Sequence, residues 1–116
     1  MKRGLEKFNE LTESFAKLPG VGKKSAARFA YFVCMQDSFA GLRLAQNIED
    51  AVRFIKRCER CGGLSENEIC DICSDESRDS EVILLVESPK DILVFEQNGI
   101  YNGLYFVLDE IDEDAI

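Results

Sequence analysis

Four of the five cysteines in this 116-residue chain fall within sixteen residues, as Cys58, Cys61, Cys70 and Cys73. They form two C-x-x-C hooks, "CERC" and "CDIC", with eight residues between them. Each hook can turn two thiolates toward one point, and two hooks close a tetrahedral site with no position left for water. Four thiolates in that geometry suit zinc or iron, and nothing nearby points to redox work, so one structural Zn2+ is expected. The "CGG" that ends the first hook lets the backbone turn tightly and aim N–H groups at sulfur. Two redox C-x-x-C motifs or a disulfide pair are the competing readings. A thioredoxin-like motif opens a helix after a strand, and neither hook does so. Cys34 stands apart in an apolar helical stretch and is expected in the core.

A structural zinc site holds a fold and performs no reaction, so the function must reside in the elements around it. The formal charge of −8 divides unevenly. Residues 1–60 carry twelve Lys and Arg against seven Asp and Glu, a net of +5, whereas residues 61–116 carry two against fifteen, a net of −13. A basic face for nucleic acid is therefore available, confined to the N-terminal half. Hydrophobic content of 46% describes a globular protein. The start "MKRGLEKFNELTES" lacks the apolar centre of a signal peptide, and no run approaches the length of a membrane span. A cytoplasmic protein without membrane contact is expected, in a compartment that keeps thiols reduced.

Leu5, Phe8, Leu11, Phe15 and Leu18 recur every three or four residues and predict a first helix with one apolar face. "KKSAARFAYFVCM" predicts a second. A third is expected from Ser38, as its N-cap, through Leu42, Ala45, Ile48, Val52 and Ile55 to Lys56. All three stripes read as helix-packing core.

The connector "LPGVGKKS" superficially resembles a phosphate-binding P-loop, but the earlier glycine and the Ser or Thr after the lysine are missing, and no strand precedes it. A tight turn between two helices fits instead. Gly20 and Gly22 let the backbone approach a ligand, and the N–H groups opening the second helix can grip a phosphate oxygen. Lys23, Lys24 and Arg28 cluster at the same helix end. This is the logic of a helix-hairpin-helix, which holds DNA through its backbone without reading sequence. An ordinary glycine-containing αα-turn with solvated lysines is the alternative.

Beyond the polar link "SDESRDS", "EVILLVE" predicts a strand buried on both faces. Ser88 and Pro89 cap and start a helix that stops at Asn98-Gly99, and "LYFVL" predicts the next strand. The result is a βαβ unit with Glu87 at the carboxyl end of its first strand, a position that borders the ligand crevice in open parallel sheets. A carboxylate there can hold a metal or cap the adjacent helix.

In this order, "LPGVGKKSAARFAYF", "CERCGGL", "CDIC", the Arg78-Asp79 pair, "LLVESPKDILVFE" and "GLYFVL" resemble the RecR family of bacterial recombination mediators across essentially the whole chain. The resemblance implies an α+β multi-module protein. Its modules are a helical helix-hairpin-helix DNA-binding domain over 1–57, a four-cysteine zinc finger over 58–74 and a partial Toprim domain over 80–116. It further implies DNA binding, a RecO-type partner, and loading of recombinase at gapped DNA coated by single-strand-binding protein. In the family the basic hairpin residues line a ring-shaped oligomer, and the matching positions are Lys24 and Arg28, with Lys23 as an added charge. A homo-oligomer, dimer or ring tetramer, follows in the longer chain. Glu87 is the implied RecO contact. The family continues past the second Toprim strand and tends to carry "YHVL" where this chain has "YFVL". Two parallel strands make too small a sheet to stand alone, so a fragment, or strands borrowed from another copy, is expected.

Two other classes compete with this reading. A Toprim-type magnesium-dependent DNA-processing enzyme would use Glu87 and a later D-x-D, spelled here by Asp112-Glu113-Asp114. That D-x-D lies too early for a third strand, the chain has no histidine, and no nucleophile stands out, so no enzymatic activity is expected. A zinc-stapled adaptor without DNA affinity is the third possibility. In the preferred reading the zinc ties a basic half to an acidic one. Its loss should then loosen the placement of the halves more than the local pattern of either.

Overall fold

The computed structural model describes residues 4–109. These divide into two compact units, with the boundary between Ala51 and Val52.

The first unit begins with α1 (Glu6–Ala16) and α2 (Lys23–Tyr31), joined by a tight turn. Ala26 and Ala30 of α2 are completely buried. Side chains this small let the two helices approach closely, and Phe15 of α1 meets Phe29 of α2 edge to face at 5.6 Å. The expected second helix does not run uniformly to Met35. It widens into a π-helical turn over Phe32–Gln36, closed by the Asp37 N–H donating to the Phe32 carbonyl at 2.8 Å. Cys34 lies in that turn and is exposed, contrary to the core position expected for it. The wider turn places it on the rim of an open apolar cleft, beside Val33, Leu42 and Ile48.

Helix α3 covers Ser38–Phe54 and stops before Lys56. Its cap is Asp37 rather than Ser38: the Asp37 carboxylate accepts the Ala40 N–H at 2.9 Å. The apolar stripe on α3 is present but not packed as core. Leu42 is 73% exposed, Ile48 54% and Val52 76%, and no residue of the helix is buried. A 3.6-residue stripe predicts that a helix seeks a partner, and no described residue buries this one.

The second unit opens with a short antiparallel hairpin, β1 (Lys56–Arg57) against β2 (Leu64–Ser65). The βαβ unit follows: β3 (Asp79–Val86), α4 (Pro89–Asn98) and β4 (Gly103–Val107), with β3 and β4 parallel and Leu84 opposite Tyr105. Helix α4 is bounded as the sequence predicts. The Ser88 N–H donates to the Asp91 carboxylate at 3.1 Å, and Gly99 closes the helix at φ 67°, which favours glycine. Strand β3 departs from expectation, since it is not buried on both faces. Val86 is buried and Leu84 half-buried, but Ile83 and Leu85 are each 57% exposed. Alternate residues point to opposite faces. Leu84 and Val86 therefore turn toward the packed side, while no described residue covers Ile83 and Leu85.

Candidate metal centre and nucleic-acid interface

The β1–β2 hairpin presents the first hook. Gly62, at φ 81°, reverses the chain after Cys61, and the Cys58 N–H donates to the Gly63 carbonyl at 2.7 Å. The second hook lies in the turns after β2. Together they bring the four sulfurs within 4.8 Å of one another. Cys58 Sγ lies 3.9 Å from Cys73 Sγ, and Cys61 Sγ 3.7 Å from Cys70 Sγ. Four sulfurs at a zinc–sulfur distance of about 2.3 Å occupy tetrahedron corners about 3.8 Å apart, which these separations match. They are far beyond the disulfide length of about 2.05 Å. The site is built for one Zn2+ held by Cys58, Cys61, Cys70 and Cys73.

Backbone amides surround the sulfurs. Cys58 Sγ accepts N–H groups from Cys70 at 3.2 Å, Arg60 at 3.4 Å and Cys61 at 3.5 Å. Cys61 Sγ accepts one from Gly63 at 3.3 Å, and Cys70 Sγ one from Cys73 at 3.4 Å. Burial raises the Cys58 thiol, but these amides outweigh it and bring the group down to about 6. At Cys61 burial prevails over the single Gly63 amide and pushes the thiol up to about 11. Cys73 is raised further, by burial and then by the neighbouring thiols.

The cysteines do not form a separable tie. Their side chains share one buried cluster with Val86 of β3, Ile92 of α4, and Tyr105 and Val107 of β4. The Val107 N–H donates to the Cys61 carbonyl at 2.8 Å, extending β4 onto the first hook. The metal site thus supplies part of the core on which the βαβ unit packs, which points to a larger local effect of zinc loss than a simple tie between two halves implies.

In the hairpin the Val21 N–H donates to the Leu18 carbonyl at 3.1 Å, and Gly20 takes φ 80°. Gly22 precedes α2 in an extended conformation, and the Ala26 N–H donates to its carbonyl at 2.9 Å. The N–H groups of Lys23, Lys24 and Ser25 thus precede the first bond of the helix ladder, and no side chain caps them. Among the described residues nothing stands within 4 Å of where a side chain on Gly20 or Gly22 would begin. Lys23 and Lys24 open α2, whereas Arg28 lies in its last turn and reaches back, its Nη2 donating to Ser25 Oγ at 3.3 Å. The open backbone, Lys23 and Lys24 therefore occupy one end of one helix, with the expected third cation, Arg28, further along it. Glu87 is exposed, immediately after β3 and before Ser88. The Asp112-Glu113-Asp114 segment lies outside the described residues.

Sequence reasoning missed one network. Arg78 donates through both Nη atoms to the Glu96 carboxylate, and through Nη1 to the Gly103 carbonyl at 3.1 Å. Tyr105 donates to Glu96 Oε2 at 2.5 Å. Arg78 hydrogen bonding holds the Glu96 carboxyl below its usual range, against burial, and burial pushes the Tyr105 phenol up. The Arg78-Asp79 pair is visible as a motif, but its partner is eighteen residues away on α4, and no local periodicity joins the two.

A family model described as RecR, helix-hairpin-helix, matches residues 8–52, and one described as the RecR four-cysteine zinc finger domain matches residues 55–75. Among curated relatives, Recombination protein RecR of Campylobacter jejuni subsp. jejuni serotype O:23/36 is 60% identical over 116 residues, covering all of this chain and 61% of the relative. The protein of that name from a Nitratiruptor species is 51% identical over 113 residues, 97% of this chain and 60% of its own. That from Helicobacter pylori (strain Shi470) is 39% identical over 112 residues, 97% of this chain and 58% of its own. The chain spans about three-fifths of the length of these relatives.

Proposed function

This chain belongs to the RecR family, and on that footing we propose that it is a DNA-binding component of recombinational repair that works without catalysis. The observation that carries the reading is the hairpin: uncapped amides at the start of α2, beside Lys23, Lys24 and Arg28, on a backbone left open by Gly20 and Gly22. An oxyanion placed there meets N–H donors, the positive end of the helix and the two lysines of its first turn, with Arg28 reaching back toward Ser25. Every nucleotide offers the same phosphate, so such a grip positions a protein on DNA without selecting sequence.

The zinc-stapled unit carries the acidic surface. Glu87, exposed at the end of β3, is the proposed contact for a RecO-type partner, and the complex would load recombinase at gapped DNA coated by single-strand-binding protein. The family resemblance supports these two roles. Self-association is part of the same reading, and the uncovered stripe of α3 supports it: Leu42, Ile48 and Val52 are too exposed for a helix that functions alone. A single hairpin offers few phosphate contacts. Non-specific sites of that kind bind at about 10⁻⁴–10⁻⁶ M at physiological salt, and an oligomer multiplies them.

The test is duplex-DNA binding by fluorescence anisotropy across a salt series, comparing the chain with a Lys23→Ala, Lys24→Ala, Arg28→Ala variant. Affinity should fall with salt, and the variant's salt slope should be shallower by about one for each phosphate it no longer neutralises. Equal binding by the two proteins would refute the hairpin as the DNA grip. Cleavage of nicked or supercoiled DNA that needs magnesium and disappears in Glu87→Gln would favour the enzymatic alternative.

A further inference from the structure

The two zinc hooks are not equivalent. After the first, "CERCGG", Gly62 takes a positive φ and the Gly63 N–H turns back to Cys61 Sγ. After the second, "CDICSD", no glycine follows. The chain continues as a tight helical turn instead, the Ser74 N–H donating to the Cys70 carbonyl at 3.1 Å and the Asp75 N–H to the Ile72 carbonyl at 3.2 Å. The amide that would match Gly63 is therefore committed to a carbonyl. Cys58 receives three N–H donors and Cys61 and Cys70 one each, whereas among the described residues no backbone amide donates to Cys73 Sγ. Cys73 is also the most accessible of the four, 9% exposed against 3–5% for the others.

We propose that Cys73 is the oxidation-sensitive thiolate of the zinc site, and that its reaction with a hydroperoxide releases the metal. An N–H donor draws electron density from a zinc-bound sulfur and makes it a poorer nucleophile, so the sulfur without one reacts first. The Cys73 thiolate attacks one oxygen of hydrogen peroxide: an S–O bond forms, the O–O bond breaks, and hydroxide departs. Sulfur loses two electrons and the peroxide gains them. The sulfenic acid is a weak ligand. The Cys58 thiolate, 3.9 Å away, then attacks the oxidised sulfur, forming an S–S bond and expelling a second hydroxide. Two thiolates are left, too few to retain zinc. Because the cysteines are part of the packed core, this chemistry would couple an oxidant to the folding of the βαβ unit.

The experiment uses the zinc-loaded 116-residue chain carrying Cys34→Ser, which removes the exposed thiol outside the site. Hydrogen peroxide is added below one equivalent. Sulfenic acid is trapped with dimedone and mapped by peptide mass spectrometry, and a chromogenic indicator reports free zinc. The expected result is a Cys73 adduct at least several-fold above that on any other zinc ligand. Without dimedone, a Cys58–Cys73 disulfide should appear in step with zinc release. Adducts spread evenly over the four cysteines, or found first on Cys61 or Cys70, would overturn the proposal, as would zinc release that precedes any change at Cys73.

Discussion

The amide of Val107, at the end of β4, donates to the carbonyl of Cys61 at 2.8 Å, joining the last described strand to the first zinc hook. Together with the cluster of Val86, Ile92, Tyr105, Val107 and the four cysteines, that bond makes the metal site part of the sheet's own support. A two-stranded parallel sheet with one helix has too little apolar surface to stand alone, and here the thiolate cage fills the deficit.

Zinc removal should therefore unfold the second unit selectively. Binding at structural zinc sites is worth about 10–16 kcal/mol in small zinc domains, well above the stability of a unit this size. With a strong chelator and a thiol reductant, the amides of Val86, Tyr105 and Val107 should lose their hydrogen-exchange protection while Ala30 in α2 keeps its own. Retained protection at Val107 in metal-free protein would contradict this.

The Arg78–Glu96 pair predicts both a mutational and a pH effect. Glu96→Gln leaves a largely buried guanidinium with, among the described residues, only the Asp75 carboxylate, 3.9 Å from Nε, as counter-charge, and should cost about 2–4 kcal/mol. Because Glu96 is held below its ordinary range by Arg78, its contribution is complete above the unfolded glutamate value of about 4.3. It is lost as pH falls through the lower folded value. Urea melts of both proteins from about pH 7 to pH 3 should show the gap between them closing below about pH 4. A gap independent of pH would rule out the charge as its cause.

Gly20 and Gly22 should separate stability from binding. Gly20 needs its positive φ, so Gly20→Ala should lower stability by about 1–2 kcal/mol. Gly22 is extended with open space beside it, so Gly22→Ala should change stability by less than about 1 kcal/mol. If the open backbone admits a phosphate, Gly22→Ala nevertheless weakens DNA binding several-fold. Thermal melts paired with DNA titrations of both variants check this, and a Gly22→Ala protein that binds normally would leave the glycine without a role in contact.

Local signals are legible in proportion to how short their range is. The four cysteines can be paired from spacing alone, because a C-x-x-C hook brings two thiols together whatever surrounds it. Ser88-Pro89 and Asn98-Gly99 mark both ends of α4, since capping is decided within a few residues. The helix of α3 is visible in its stripe, but whether Leu42 and Val52 are buried depends on a surface that the stripe does not encode. The same holds for Ile83 and Leu85, whose apolar run predicts cover on both faces. Arg78 and Glu96 meet only because β3 and α4 fold back on each other, and the expectation for Cys34 fails because the π-helical turn shifts the register of its helix.

The measurement closest to the central claim is a two-dimensional amide spectrum of the zinc-loaded chain titrated with short duplex DNA at low salt. If α2 grips phosphate with its first turn, the largest shifts fall on the N–H groups of Lys23, Lys24 and Ser25, with Gly20 and Gly22 beside them, and they fade as salt is added. Shifts confined to the zinc hooks or to the βαβ unit, with the start of α2 unmoved, would contradict it.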